Sequence, residues 1–110
     1  MPLIINCFKI VGDLVSEDNS RGLLYRQVFK KNSSDELGVV FNDVEPGGNT
    51  KDHAHAGLHI TFVVKGKGQL KTGDSIIDIS EGDVIYLQPY EPHCFINNGE
   101  TVMQLFGIQG

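Results

Sequence analysis

The chain has 110 residues, 40% of them hydrophobic, and 14 acidic against 9 basic residues give a net charge of −5. A chain of this length is expected to form a single domain with one core. An acidic chain without a basic patch argues against nucleic acid as a partner. No apolar run approaches the roughly 20 residues that a membrane helix needs, and no secretory leader opens the sequence. We therefore expect a cytoplasmic protein without membrane contact.

The predicted organisation is one domain spanning 1–110, with an N-terminal arm and a barrel. Residues 1–20 form the arm, which carries the apolar runs Leu3-Ile4-Ile5 and Phe8 to Val11, and residues 21–110 form the barrel. Small barrels expose edge strands through which chains can pair. Because the arm is apolar enough to cover a partner's sheet, we expect a homodimer.

Short β-rich runs separated by turn residues dominate the chain, and helix is expected at most as a short turn near residues 10–15. Thr72-Gly73-Asp74 and Asn97 to Glu100 carry hairpin signals, and Glu45-Pro46-Gly47-Gly48 is predicted to end a strand. Many strands at regular spacing predict an all-β sandwich or barrel. The predicted strands are 23–29, 37–44, 58–64, 69–71, 75–79, 84–87, 93–96 and 102–108.

All four histidines of the chain belong to one pattern: His53, His55 and His59 lie close together, and His93 follows later. Successive side chains on a strand point to opposite faces, so the first three share a face if the segment is extended. A single histidine is more often a surface residue or a hydrogen-bonded core residue. That alternative has to hold for four residues at once, and clustered imidazoles bind first-row divalent metals. The pattern therefore favours a metal site.

The segment from Gly47 to Gly66 resembles the first motif of the cupin family. That motif is a Gly, five residues, His-x-His, three residues, a Glu, six residues and a Gly. Gly47, His53, His55 and Gly66 match at the family spacing, and His59 stands where the family usually has Glu.

The segment from Gly82 to Asn97 resembles the second cupin motif: Gly, five residues, Pro-x-Gly, two residues, His, three residues and Asn. Gly82, His93 and Asn97 match, whereas Gln88 replaces the motif Pro and Tyr90 replaces the motif Gly. The two motifs together are far more specific than either alone.

The resemblance implies an all-β double-stranded β-helix of jelly-roll type, with a metal inside the barrel near one mouth. It implies that His53, His55 and His93 take the three histidine ligand positions and that His59 takes the glutamate position. An imidazole there leaves the metal with neutral ligands, which favours Lewis acidity and anionic substrates. The expected cofactor is a divalent transition metal: Fe, Mn, Zn or Ni. The alternative for His59 is an orienting or surface role.

Five further residues are candidates for the pocket. Tyr86 is a candidate catalytic residue if it faces the interior, although a packed aromatic is the alternative. Phe95 is expected to point to the same side of its strand as His93 and to form part of the pocket wall. Gln104 and Phe106 are expected to share one side of the last strand and to line the pocket. Arg26 could bind a substrate carboxylate, although a solvated edge charge is more common.

Three functions stay open, because a fold does not decide chemistry. The first is a metal-dependent enzyme on a small organic substrate, with dioxygenase-like chemistry. The second is a non-redox isomerase or lyase on a sugar acid, which needs a general acid or base such as Tyr86. The third is a non-catalytic metal- or ligand-binding module, which a fully saturated metal would favour because catalytic metals keep an open position.

Overall fold

The computed structural model describes residues 2–16, 19–33, 35–51, 54 and 56–110. Over these ranges the secondary structure is one 3-10 turn, Cys7–Lys9, and strands. Among the described residues, no helix is long and apolar enough to cross a membrane. The strands are β1 (Asp13–Val15), β2 (Arg21–Tyr25), β3 (Gln27–Phe29), β4 (Gly38–Asn49), β5 (His59–Lys65), β6 (Lys67–Thr72), β7 (Ser75–Ser80), β8 (Val84–Leu87), β9 (Cys94–Ile96) and β10 (Met103–Gln109).

The strands form one curled antiparallel sheet in which sequence neighbours are often not spatial neighbours. The order along the sheet is β7-β6-β9-β4-β10-β5-β8, while β2 and β3 pair with β4 and β1 pairs with β2. The long strand β4 is the centre of this arrangement, because it pairs with β10, β9, β2 and β3. This confirms the predicted all-β jelly-roll barrel.

Side-chain alternation gives the sheet an inner face and an outer face. On β4, Val40, Asn42 and Val44 belong to the inner face, and Phe41 and Asp43 belong to the outer face. Antiparallel register carries this division onto the neighbouring strands β10 and β5. The inner face supplies the apolar core of the barrel, which consists of Leu23, Val44, Val63, Leu70, Ile79, Leu87, Phe95, Met103 and Leu105.

Two predicted turns differ from the structure, and the hydrogen bonds of Asn97 explain both differences. The segment 45–48 continues β4 instead of ending it, because Gly47 N donates to Asn97 O at 2.8 Å and Asn97 N donates to Gly48 O at 2.9 Å. The turn after Asn97 does not join a hairpin, since β9 pairs with β4 and β6 whereas β10 pairs with β4 and β5. The Asn97 side chain instead donates to Val44 O and Thr101 O, each at 2.8 Å.

Other predicted element boundaries also differ from those in the structure. The predicted strand 23–29 is divided at Arg26 into β2 and β3. The helical turn expected near residues 10–15 lies earlier, at Cys7–Lys9, because residues 13–15 pair with β2 as strand β1. The hairpin at Thr72-Gly73-Asp74 is confirmed, since Thr72 pairs with Ser75 across the turn.

Candidate metal centre and ligand cavity

A cavity of about 530 Å³ lies against the inner face of the barrel. This volume is typical of sites for small molecules. Its walls include His59, His93, Phe95 and Tyr25, which come from three different parts of the chain. The cavity is therefore the place where the described fold assembles chemically capable side chains.

His59 and His93 are adjacent in this cavity although they lie 34 positions apart in the sequence. Their ring centroids are 5.6 Å apart with the planes tilted by 56°. His59 opens β5 and pairs with Leu87 at the end of β8. The loop that follows β8 then delivers His93 to the start of β9, so the sheet register itself brings the two imidazoles together.

The backbone fixes which nitrogen of His93 carries the proton. His93 Nδ1 lies 2.9 Å from the carbonyl oxygen of Glu91, and a carbonyl oxygen can only accept. Nδ1 therefore donates, so in the neutral form of the ring the lone pair lies on Nε2. Metal-binding histidines are commonly oriented by such a bond from their other nitrogen. The chemistry of His93 thus fits a metal ligand.

The loop that positions His93 contains a backbone conformation that favours glycine. Tyr90, where the cupin motif has Gly, has a φ of +63°. The matching motif glycines Gly47, Gly66 and Gly82 have φ values of +80°, +85° and +94°. The turn at Tyr90 therefore keeps the left-handed geometry although it lacks the residue that adopts it without strain.

The other two predicted ligands, His53 and His55, lie outside the described residues. Within the part of the chain that the structure describes, no group of three or more His, Cys, Asp or Glu side chains is placed to hold a metal ion. The structure thus brings together two of the four predicted donors, His59 and His93, and the four-histidine set stays a prediction.

Of the candidate pocket residues, Phe95 lines the cavity and its ring lies 6.3 Å from that of His93. Gln104 and Phe106 do not line it, which corrects their assignment to the pocket. Leu105 and Gly107 take the inner positions of β10, so the alternation places Gln104 and Phe106 on the outer face. Gln104 and Phe106 share one face of β10, as predicted, but this is the outer face and not the inner one.

Arg26 also lies on the outer face, where it forms an ion pair instead of contacting the cavity. Its Nη1 and Nη2 donate to the two carboxylate oxygens of Asp43 at 3.0 and 2.9 Å, and Gln104 Nε2 donates to Asp43 Oδ1 at 3.1 Å. We call Arg26, Asp43 and Gln104 the outer-face network. The bonds from Arg26, and secondarily from Gln104, hold the pKa of Asp43 below its ordinary value. Assignment of Arg26 and Gln104 to substrate binding is therefore corrected.

The N-terminal arm is anchored on this network. Arg26 Nε donates to the carbonyl oxygen of Ile10 at 3.1 Å, and its guanidinium lies 5.2 Å from the centroid of the Phe41 ring. Phe8 packs on the same Phe41 ring, edge to face, with centroids 5.2 Å apart. The network thus has a structural role that joins the arm to β4.

A different tyrosine from the predicted one faces the cavity. Tyr86 pairs with Ile60 on the outer side of β8 and is 55% exposed, so its interior placement was wrong. Tyr25, on β2, lines the cavity instead, and burial raises the pKa of its phenol. Its parity with the buried Leu23 is the signal by which the sequence could have indicated it.

Two lysines complete the charged part of the cavity wall, and the sequence did not single them out. Lys31 follows β3 and Lys51 follows β4, both outside regular strands. Periodicity assigns no face to a residue in a loop, so no sequence signal pointed to either.

The chain belongs to the cupin family. The cupin domain model matches residues 40–108, which is more than half of the chain. This match includes both motif histidines that the structure places in the cavity.

Among proteins of known sequence, the chain is 33% identical over 72 residues to mannose-6-phosphate isomerase 2 of Arabidopsis thaliana. The match covers 66% of this chain but only 16% of that protein, so the chain spans about a sixth of the relative's length.

Two solved structures have the same fold at low sequence identity. A predicted oxalate decarboxylase from Thermotoga maritima has a TM-score of 0.88 and 19% identity, over 97% of each chain. The polyketide cyclase RemF from Streptomyces resistomycificus has a TM-score of 0.85 and 20% identity, over 99% of this chain and 79% of that one. These likenesses establish the barrel and leave the activity open.

Proposed function

We propose that this chain is a metal-dependent cupin enzyme that acts on a small organic substrate with dioxygenase-like chemistry. The observation that carries the proposal is the pair His59 and His93 on the wall of a cavity of about 530 Å³. The bond between His93 Nδ1 and Glu91 O presents Nε2 as the lone-pair nitrogen, which suits a ligand. The cavity provides room for a substrate beside the metal.

In this proposal His53, His55, His59 and His93 hold one divalent transition metal: Fe, Mn, Zn or Ni. A bound metal would supply Lewis acidity and, if it were iron, redox chemistry with O₂. Phe95 forms an apolar wall next to His93, which limits water near the site. A phenol with the ordinary tyrosine pKa of about 10 is protonated at neutral pH, and burial raises the pKa of Tyr25 further, so its hydroxyl can donate a hydrogen bond to the substrate.

A non-redox isomerase or lyase is the second candidate. The 33% identical relative is named as a mannose-6-phosphate isomerase, which favours this class. Such chemistry needs a group that moves a proton. No Asp or Glu is among the described residues that line the cavity, so within the described part Tyr25 is the candidate proton donor in place of Tyr86.

We also propose that the chain forms a homodimer. The arm exposes apolar side chains, with Ile4 89% and Val11 95% exposed, and the outer face of the sheet exposes Phe62, Val84 and Tyr86. Two apolar surfaces on one small chain favour burial against a second copy. Sedimentation of the native chain against Ile4→Asp should give a dimer and a monomer, and a native monomer at working concentration contradicts the proposal.

The metal proposal is tested by metal content. Untagged protein should carry close to one metal ion per chain, and His93→Ala and His53→Ala should each lose most of it. Val40→Ala, which changes an apolar residue of the same cavity, is the control and should keep the metal. The metal's identity then separates the two enzyme classes. A native chain that takes up none of Fe, Mn, Zn or Ni overturns the proposal.

A further inference from the structure

The charged side chains in the described part of the cavity wall are opposite in sign to the net charge of the protein. The chain as a whole is acidic, with a net charge of −5. Among the described residues that line the cavity, however, the charged side chains are Lys31 and Lys51, and none is Asp or Glu. Two lysine side chains on the wall of one cavity favour the binding of anions there.

Both lysines lie at the same end of the barrel as the histidines. A Cβ on Gly38 would lie 3.2 Å from Lys31 Cβ and 3.2 Å from Gln109 Oε1, so Lys31 adjoins Gln109. Gln109 in turn pairs with His59 in the sheet register. Lys31 therefore lies next to Gln109, the residue that pairs with His59 across neighbouring strands.

Lys51 has the same relation to the other imidazole. It follows Thr50, whose N donates to Phe95 O at 2.8 Å and whose Oγ1 accepts from Phe95 N at 2.9 Å. Phe95 is two residues beyond His93 and contacts its ring. The two lysines thus flank the proposed metal centre from the segments that follow β3 and β4.

The head group of Lys31 has a backbone partner. Its Nζ donates to the carbonyl oxygen of Glu36 at 2.8 Å, in an exposed position. An ammonium has three donors, and this bond uses one of them. Lys31 is therefore a tethered cation at the cavity wall.

The rest of the wall has the character of a binding site for an organic body. Leu23, Leu105 and Phe95 are apolar and buried, and each lines the cavity. Tyr25 and Asn42 add hydroxyl and amide groups from neighbouring strands. Apolar walls with a few polar groups are what a small-molecule site needs for affinity and orientation.

We infer that the substrate is an organic anion, whose acid group is bound by Lys31 and Lys51 and whose apolar part contacts Phe95 and Leu105. This inference deepens the proposed function and rests on the same cavity. A carboxylate and a phosphate ester share the required chemistry, because both present oxygen acceptors with negative charge. The metal and the lysines then act on one end of the substrate.

The test compares matched anionic and neutral probes by isothermal titration. Benzoate is compared with benzamide, and benzyl phosphate with benzyl alcohol, on metal-loaded and on chelator-treated protein. We expect at least one anion to bind about tenfold or more tightly than its neutral partner, as expected for a charge-assisted contact. Which anion does so separates carboxylate from phosphate substrates.

Variants assign the preference to the lysines. Lys31→Met and Lys51→Met should each weaken the anion about tenfold while leaving the neutral probe unchanged. Lys30→Met, which alters the exposed neighbour of Lys31, is the control and should bind as the native chain does. Equal affinity for anion and neutral partner, or failure of both anions to bind, overturns the inference.

The chelated protein separates this inference from the metal proposal. If the lysine-dependent preference persists in a chain that takes up no metal, the anion site stands and the metal enzyme falls. If the preference occurs only with metal and neither lysine variant changes it, the metal alone recognises the charge, and the inference falls while the metal enzyme stands.

Discussion

The polar side chains on the inner faces of β4 and β10 have a different role from those on the outer faces. On the outer face, Asp43 and Gln104 form hydrogen bonds within the network that includes Arg26. On the inner face, Asn42 and Gln109 line a cavity beside histidines and lysines. Adjacent residues of one strand thus differ in role because each faces a different environment. A polar residue in an apolar strand is a candidate for ligand binding when its side chain lines the cavity, as Asn42 does although its Oδ1 also accepts from Arg26 N at 3.3 Å.

The largest expected effect is on stability and concerns the buried part of the outer face. Phe41 is buried on the outer face, where Phe8 and Arg26 contact its ring. Phe41→Ala should lower the free energy of unfolding by about 3–5 kcal/mol, as for other large core truncations. Urea denaturation measures this. Phe62→Ala on the same face, where the side chain is partly exposed, is the control and should cost about 1 kcal/mol. Equal losses for the two variants would contradict this assignment.

The next effect concerns the ion pair. Asp43→Asn should destabilise the protein at neutral pH by about 2 kcal/mol, because the hydrogen bonds from Arg26 are charge-assisted and partly buried. Asp78→Asn on the exposed strand β7 is the control, with an expected change within about 0.5 kcal/mol. If metal content falls in the folded Asp43→Asn variant, the separation of the two faces is wrong.

The same pair gives a pH dependence. The pKa of Asp43 is lowered in the folded protein, so its stabilisation is fully present above the ordinary aspartate pKa of about 4. It is lost as the pH falls through the lowered folded value. The stability gap between the native chain and Asp43→Asn should therefore be constant from neutral pH to about pH 5 and narrow below about pH 4. Urea titrations at several pH values measure this gap, and one that grows in acid has the wrong sign.

A smaller effect separates the two tyrosines. Tyr25→Phe should weaken binding of the preferred anionic probe about fivefold, the value of one lost hydrogen bond. Tyr86→Phe is the matched control and should leave this affinity unchanged, because Tyr86 lies on the outer face. Titration of both variants decides between them, and a reversed order would restore Tyr86 as the pocket residue.

The smallest expected effect is a gain in stability. Tyr90 has a φ of +63° and an exposed side chain, so Tyr90→Gly removes backbone strain and little packing. The left-handed conformation costs about 1–2 kcal/mol for a residue with a Cβ, and glycine's greater freedom in the unfolded chain offsets part of the gain. We expect about 0.5–1 kcal/mol of stabilisation by thermal unfolding. Tyr90→Ala is the control, since it removes the ring and keeps the strain.

The sequence predicted the barrel well because period-two alternation and turn residues report local geometry directly. The two motifs placed His59 and His93 among four expected metal ligands, and these two line one cavity, while the metal and its four-histidine ligand set stay predictions. Prediction from the sequence failed for Arg26, Gln104 and Tyr86, because alternation groups residues by face without stating which face is inside. That choice depends on strand pairing across distant parts of the chain, as in the register of β10 with β4.

The position of β10 in the sheet also has a consequence for how the protein is made. This strand lies between β4 and β5, yet it is synthesised long after both. While the chain emerges from the ribosome, one edge of β4 and one edge of β5 remain unpaired until β10 has been synthesised. Such non-local pairing slows folding and leaves strand edges exposed to aggregation. The cavity itself therefore comes into existence only when the final strand is inserted.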